Sequence, residues 1–508
     1  MLKIPVLNVV LIAGFYLTTS CSESGPTEAW QAAFTLSPSG TKVIGAKEYS
    51  SSSKVKFSFS AASVAVDQYQ IVATSENGGH VVSKGLASSQ TEGELTGLRS
   101  ATRYGISLSA CEDSSCTVTL GSSDNIAEWE SAEEVWQIDG QGASIDGITR
   151  IVSDGNVMIH AMVYGDDAPS AQAGRVQLYY GPMGNEHSGL AVATGNSVAT
   201  ADPSSVSAFT SLAGKSGLHS PGTASKSLVQ IATGQAVPLS EAMGGAIRLF
   251  FEARGPDQKT RIYSVDSQDG YVGKDFHNGP ESICTLETDY QKGGPCAPTL
   301  VVGVDGDATA ANSKIDNARQ FKIGVPTLDD WRWSGAVGSF MIFTVGKIDG
   351  CGDQQRNNGY AVWDGSNWVV QYDATGCPLL FEDIQAPSPL HLGDANYKLY
   401  FGTPSDQEGK LSSSKLPFLG PKKVLYGSGA AGAGSEVVAF DDWEKRAEAR
   451  DITFLWPSGE VLNGTEEGYI DDFTIVTPTS NLDFQVLYIA ITDGNDVPFA
   501  SMAILANP

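Results

Sequence analysis

The stretch Ile247-Arg248-Leu249-Phe250-Phe251-Glu252-Ala253-Arg254-Gly255, followed after a polar loop by Arg261-Ile262-Tyr263-Ser264-Val265-Asp266-Ser267-Gln268-Asp269-Gly270, sets the fold class of this chain. Both halves are short, rich in branched and aromatic residues, and end at glycine. Runs of this length and composition are strands, and the near-continuous apolar character of the first marks a buried one.

The same unit recurs across residues 134–508, as Val157-Met158-Ile159-His160-Ala161-Met162-Val163-Tyr164-Gly165, Val176-Gln177-Leu178-Tyr179-Tyr180-Gly181 and Phe340-Met341-Ile342-Phe343. It returns at Tyr397-Lys398-Leu399-Tyr400-Phe401-Gly402, Ile452-Thr453-Phe454-Leu455-Trp456 and Val486-Leu487-Tyr488-Ile489-Ala490. Ala297-Pro298-Thr299 and Ala386-Pro387-Ser388 read as strand starts. Buried strands joined by long polar loops predict a β-propeller, and roughly 370 residues accommodate five blades of about 70 or six of about 60, five being favoured. The competing architecture is a pair of β-sandwiches; no central break in composition divides the region. The expected fold class is therefore all-β.

The repeat texture resembles the "strand, loop, I-x-x-A-x-S-x-D-G" blade of the five-bladed glycosidase propellers, the clan of arabinanases, β-xylosidases and levansucrases. Residues 397–409, with Leu399-Tyr400-Phe401-Gly402-Thr403-Pro404-Ser405, have the same look. The resemblance implies carboxylates at the inner ends of the first strands of successive blades, one acting as acid and another as base or nucleophile. In that family an Asp usually precedes the Pro that opens a blade. Here Ala297 and Ala386 stand in that place. A site lacking its base would hold sugar without cleaving it, so the leading expectation is a binder of a glycan or an envelope protein without catalysis. The alternative is a glycoside hydrolase of the five-bladed clan acting on plant or microbial polysaccharide.

Candidate catalytic residues are Glu252, Glu382 and Asp383. A carboxylate at the end of so apolar a strand as that of Glu252 is a candidate for a raised pKa. Arg254 lies two residues on and shares its face; a structural Glu–Arg pair is the plainer reading. Glu382 and Asp383, like Asp471 and Asp472, also read as loop carboxylates or turn caps. Trp331, Trp333 and Trp368 are candidate ligand-binding rings, since flat aromatic faces stack on sugars; packing between blades competes with that role. Asp305-Gly306-Asp307 and Asp493-Gly494-Asn495-Asp496 are where a structural calcium would sit, although neither has the full EF-hand spacing and both suit turns. No other metal and no cofactor is expected, and no G-x-S-x-G, H-E-x-x-H or phosphate loop occurs.

Residues 30–128 have a different pattern. Val55-Lys56-Phe57-Ser58-Phe59-Ser60, Tyr69-Gln70-Ile71-Val72-Ala73 and Tyr104-Gly105-Ile106-Ser107-Leu108-Ser109-Ala110 alternate with period two, which predicts a small antiparallel sandwich. Gly93-Glu94-Leu95-Thr96-Gly97-Leu98-Arg99-Ser100-Ala101-Thr102-Arg103-Tyr104 resembles the E–F corner of a fibronectin type III module. The resemblance implies that Leu98 fills the core and that the Tyr104 hydroxyl bonds back to the corner backbone. Phe57 or Phe59 stands where that family usually has a Trp. Such modules serve as spacers or binding surfaces.

The first twenty residues read as a signal peptide, with Lys3 ahead of an apolar run too short to span a bilayer comfortably. Thr18-Thr19-Ser20-Cys21 resembles a bacterial lipobox, which implies lipidation of Cys21 and a polar tether over residues 21–29. An ordinary signal peptide cut nearby is the other reading. Removing Cys21 from the seven cysteines leaves six, an even number, as disulfides in an oxidising compartment require. Proximity pairs Cys111 with Cys116, Cys284 with Cys296 and Cys351 with Cys377, among fifteen arithmetically allowed connectivities. No C-x-x-C supports zinc. With 32 basic against 58 acidic residues the net charge is −26, which disfavours nucleic acid as a partner. Membrane contact is expected through the lipid anchor only, on an exported protein facing the periplasm or the cell surface.

Overall fold

A computed structural model describes residues 30, 32–119, 126–138, 157–169, 171–182, 191–196, 210–211, 230–232, 235–254, 260–273, 299–302, 318–324, 331–335, 339–345, 357–372, 375–377, 381–382, 385–393, 396–402, 423–428, 444, 448–462, 468–476, 486–493 and 498–508. Among them there is no α-helix. The chain is all-β, a sandwich followed by a propeller.

The sandwich comprises β1 (Thr35–Pro38), β2 (Lys42–Ile44), β3 (Lys47–Tyr49), β4 (Lys54–Ser58), β5 (Gln68–Ser75), β6 (Val81–Ala87), β7 (Glu92–Thr96), β8 (Arg103–Cys111) and β9 (Ile126–Glu130). One sheet runs β1-β4-β7 and the other β6-β5-β8-β9, with β2–β3 a separate hairpin. Period-two patterning puts Tyr69, Ile71 and Ala73 of β5 and Tyr104, Ile106, Leu108 and Ala110 of β8 on the inner face, all buried. Leu98 is buried among them, and Arg99 donates its backbone N–H to the Tyr104 hydroxyl at 2.7 Å. Trp30, ahead of β1, packs on Tyr69 at 5.5 Å between ring centroids and on Phe59 at 6.3 Å. An aromatic cluster thus fills the space a β4 Trp would take. Cys111 and Cys116 form a disulfide at the end of β8. Cys377 is disulfide-bonded as well; Cys21, Cys284, Cys296 and Cys351 lie outside the described residues.

The propeller begins at β10 (Glu134–Ile138). Its first blade is β11 (Val157–Val163), β12 (Arg175–Pro182), β13 (Ala191–Asn196) and β14 (Thr210–Ser211). The second is β15 (Gln230–Ala232), β16 (Ala236–Pro238), β17 (Ile247–Arg254), β18 (Thr260–Asp266) and β19 (Thr299–Val302). The third is β20 (Ala318–Gly324), β21 (Phe340–Val345), β22 (Asn357–Trp363), β23 (Trp368–Val370) and β24 (Phe381–Glu382). The fourth is β25 (Gln385–Gly393), β26 (Asn396–Gly402), β27 (Lys423–Ser428) and β28 (Arg450–Leu455). The fifth is β29 (Gly468–Val476), β30 (Val486–Asp493) and β31 (Pro498–Leu505), completed by β10 from the other end of the domain.

β10 therefore closes the ring. It pairs antiparallel with β31, placing Trp136 opposite Leu505, and parallel with β28, placing Glu134 opposite Ile452. The innermost strands are β11, β15 with β16, β20, β25 and β29: β11 packs against β16 and β29, and β25 against β20 and β29. The apolar cores lie between neighbouring blades, as the two-sided burial of the opening stretch requires. Phe250 enters the core shared with the third blade, beside Trp333, Met341 and Trp363, while Leu249 and Phe251 enter the core shared with the first, beside Met162 and Tyr179.

Candidate functional site

In each blade the inner strand starts at one rim of the propeller and ends at the other. β17 runs antiparallel to β15 and β16, so Arg254 lies opposite Gln230 at the starting rim and Ile247 opposite Pro238 at the ending rim. This polarity sorts the sequence candidates. Glu252, opposite Ala232, stands at the starting rim, with Arg254 one step further out and both at the strand parity of Phe250. Glu382 on β24 pairs with Asn357, the first residue of β22, which in turn lies opposite Val345 and hence at the same rim. Asp383 lies outside the described residues.

Asp471 and Asp472 are not in a turn. They sit within β29, the inner strand of the fifth blade, where the register against β30 shifts between Ile470 and Asp472. A bulge here re-aims successive residues of a strand and is a frequent device beside active sites. Sequence reasoning took these residues for a loop because two adjacent carboxylates look like a solvated turn.

His160 is a residue that sequence reasoning passed over as part of an apolar strand. It is buried on β11 and bridges three inner strands. Its Nε2 donates to the Ala236 carbonyl of β16 at 3.1 Å, an oxygen that can only accept, and its Nδ1 lies 3.3 Å from the Thr474 hydroxyl of β29. With Nε2 protonated, the neutral ring leaves Nδ1 to accept from Thr474. Asp472 lies two residues before Thr474, at the same parity and one step nearer the starting rim. The signal that could have found His160 was a lone imidazole in the middle of an otherwise apolar run.

The tryptophan candidates are at the other end of the blades. Trp333 bridges Leu239, just past the end of β16, and Trp368 pairs with Trp363 at the end of β22. Trp333 and Trp368 are core residues, 2 % and 7 % exposed, with Trp363 5.2 Å from Trp333 and 5.6 Å from Trp368 between ring centroids. The expectation that they offer stacking faces to sugar is corrected: their apolar faces are spent on the seam between the second and third blades. Trp331 is partly covered too. Its ring meets Gly165, whose missing Cβ would fall 2.3 Å from it, lies edge-on to Tyr271, has Arg332 over it and donates Nε1–H to Asp167.

Metal ligation has no support among the described residues, where no group of three or more His, Cys, Asp or Glu side chains converges. Residues 305–307 and 494–496, read as possible calcium turns, lie outside them, apart from Asp493 at the end of β30.

No family model matches the chain, and no curated protein matches it. Solved structures are similar in part. A GH43_1 enzyme from Xanthomonas citri complexed with xylotriose is 12 % identical over 70 % of this chain and 89 % of its own, with a TM-score of 0.37. CoXyl43, a GH43 β-xylosidase/α-arabinofuranosidase from a compost microbial metagenome, is 12 % identical over 70 % and 92 %, TM-score 0.37. A glycosyl hydrolase from Bacteroides ovatus is 9 % identical over 73 % and 94 %, TM-score 0.38. The fn3 domain of human collagen alpha-1(XX) chain is 16 % identical over 22 % of this chain and 90 % of its own, TM-score 0.14. At these identities the likeness concerns the fold alone.

The expectation of a binder without catalysis is corrected here. The propellers to which the chain is similar are glycoside hydrolases. The expectation rested on Ala297 and Ala386 as blade openings, and only one of them is: Thr299 starts β19, the outermost strand of the second blade, far from the axis. Ala386-Pro387 does open an inner strand, β25. The residues preceding β11, β15, β20 and β29 lie outside the described residues, so the missing aspartate at two openings reduces to one.

Proposed function

We propose that this chain is a glycoside hydrolase of the five-bladed propeller clan, acting on a plant or microbial polysaccharide. The observation that carries the reading is a ring of five blades in which Asp472 stands on the inner strand β29, two residues from Thr474, the contact of buried His160, with Glu252 at the same rim one strand further out, on β17. Glycoside hydrolysis needs two carboxyl groups flanking the scissile bond, one protonated as acid and one ionised as base or nucleophile, and their separation selects inversion or retention. Two blades supplying acids at one rim, one on an inner strand and the other on the strand next to an inner one, meet that requirement in kind. Glu252 and Asp472 are the proposed acid–base set, with Arg254 next to Glu252 in sequence and His160 joining the inner strands β11, β16 and β29; Glu382 is at the same rim but on the outer strand β24.

The reading includes an exported protein anchored through lipidated Cys21. Its support is the leader, the Thr18-Thr19-Ser20-Cys21 run and the even cysteine count that remains without Cys21. Incubating the purified mature protein with arabinan, xylan and fructan tests the activity. Release of reducing sugar that falls by about a hundredfold or more in Glu252→Gln or Asp472→Asn is the expected result. No turnover of any of the three polymers, or full activity in both variants, would sink the assignment. Anchoring is tested separately, by labelling cells with a palmitate analogue and comparing the chain with its Cys21→Ser variant.

A further inference from the structure

The sandwich does not hang from the propeller by a linker. Its E–F corner inserts into the outer edge of the fourth blade. Ser100 donates its N–H to the Tyr426 hydroxyl at 3.0 Å, and Arg99 pairs with Glu444 at 2.6 Å, both side chains largely buried. Arg450 reaches Thr102 of the corner through Nε at 3.0 Å and also pairs with Glu444. Three cations surround the Tyr426 ring: Arg450 at 5.1 Å, Arg99 at 5.2 Å and Lys398 at 5.6 Å. Lys398 in turn pairs at 2.7 Å with Glu134, a fully buried carboxylate at the start of the closing strand β10, which also accepts from Tyr400 at 2.9 Å.

A second contact ties the sandwich to the ring closure itself. Asn507, two residues past β31, accepts through Oδ1 from the Val135 N–H of β10 at 2.8 Å. Its Nδ2 donates to Ser50 at 2.9 Å and to Glu133 at 2.8 Å, and its own carbonyl accepts the Ser52 N–H at 2.8 Å. Ile44 of the β2–β3 hairpin joins Val135, Leu455 and Ala506 in one small core. Gly45 touches Gly459 so closely that a Cβ would fall 2.6 Å from the Ser458 carbonyl oxygen.

Interfaces between domains of one chain are ordinarily small and polar and allow relative motion. This one contains buried charges whose partners come from both sides, and parting the modules would leave them uncompensated. We infer that the sandwich is a rigid strut and a ring clamp: its E–F corner and residues 50–53 form a docking surface for the seam of the fourth and fifth blades, fixing the sandwich's angle and holding β10 against β31. The strut has a direction. Lys54, Thr96, Arg103 and Glu130 mark the pole at the propeller, while Ser58, Gln68 and Cys111, with Trp30 nearby, mark the far pole. Whatever precedes Trp30 therefore attaches about 30 Å from the propeller, the length of a nine-residue strand. The inference holds whatever chemistry the propeller performs.

The test uses the full chain. Spin labels on Ser83→Cys and Ser366→Cys, both at exposed positions on the two modules, report their separation by pulsed electron paramagnetic resonance. One narrow distance peak is expected; a broad or multimodal distribution overturns the strut. Arg99→Met is expected to widen the peak at least about twofold, and Asn507→Ala to speed amide exchange at Ser52 and Val135 by about tenfold or more, as loss of roughly 1.4 kcal/mol of local protection would. Wild-type width in Arg99→Met together with wild-type exchange in Asn507→Ala overturns the clamp. Ser52→Ala, which removes one hydroxyl bond to Asn507, gives the same exchange readout should Asn507→Ala fail to fold.

Discussion

Ser100 and Tyr426, 326 residues apart in sequence, share a hydrogen bond of 3.0 Å from the backbone N–H of one to the hydroxyl of the other. The corner that completes the sandwich's own core is the same corner that enters the propeller. Leu98 points one way, into the sandwich, and Ser100, two residues later, points the other. Four consequences can be measured.

Tyr104→Phe removes the acceptor of the Arg99 N–H and the hydroxyl that sits 2.8 Å from His80 Nδ1. Leaving a buried N–H unpaired costs about 1–3 kcal/mol. The unfolding midpoint in urea should fall accordingly with no change in m-value.

His80 makes the sandwich acid-sensitive. Burial, then the nearby Arg99 and Arg450, hold its pKa down at about 4 from an ordinary 6.5. A base whose folded pKa is depressed is stabilised in its neutral form, so its contribution is complete above pH 6.5 and is lost as pH falls from 6.5 towards 4. Unfolding free energy measured across that window should decline with a slope approaching one proton, and in His80→Gln that part of the slope should vanish.

Glu134→Gln removes the negative charge that lies 2.7 Å from the Lys398 ammonium, 9 % exposed in its side chain. Breaking a buried pair from one side costs about 3–5 kcal/mol, whereas replacing both members by apolar groups is often close to neutral. Thermal melts should therefore show a large loss for Glu134→Gln and recovery of most of it in Glu134→Leu with Lys398→Met.

Trp333→Ala distinguishes packing from ligand binding. Removing a ring that fills the core between the second and third blades should cost about 3–5 kcal/mol of stability. On whatever polysaccharide the protein turns over, KM at a temperature where the variant is folded should stay within about twofold of wild type, since the ring lies at the rim opposite Glu252 and Glu382.

The parts of this architecture that were legible in the sequence are those encoded within a few residues. The Leu98–Tyr104 corner is a seven-residue pattern, and the structure closes it through a bond five residues long. Strand runs such as Ile247–Arg254 announce themselves by burial on both faces. What a strand start cannot announce is its place in the sheet. Ala297-Pro298 and Ala386-Pro387 have the same local chemistry, yet one leads to an outer strand and the other to an inner one, because that difference is decided by neighbours far away in sequence. Nothing local sets Glu134 apart from the neighbouring Glu133; the lysine that makes its burial tolerable is 264 residues on. His160 was hidden for the same reason, its partners Ala236 and Thr474 being 76 and 314 residues away.

The closing pair β10–β31 also sets a timetable for biosynthesis. Val135 and Asn507 are separated by 372 residues. At about 5–20 residues per second, roughly 20–70 s of translation pass between them. The sandwich's strands are all made within about the first quarter of synthesis, but β10 must wait, unpaired on the β31 side, until nearly the whole chain has been made. Throughout that interval an apolar edge carrying Val135, Trp136 and Ile138 is open to wrong partners, so a chaperone that shields this strand has more to protect than one acting on any single blade.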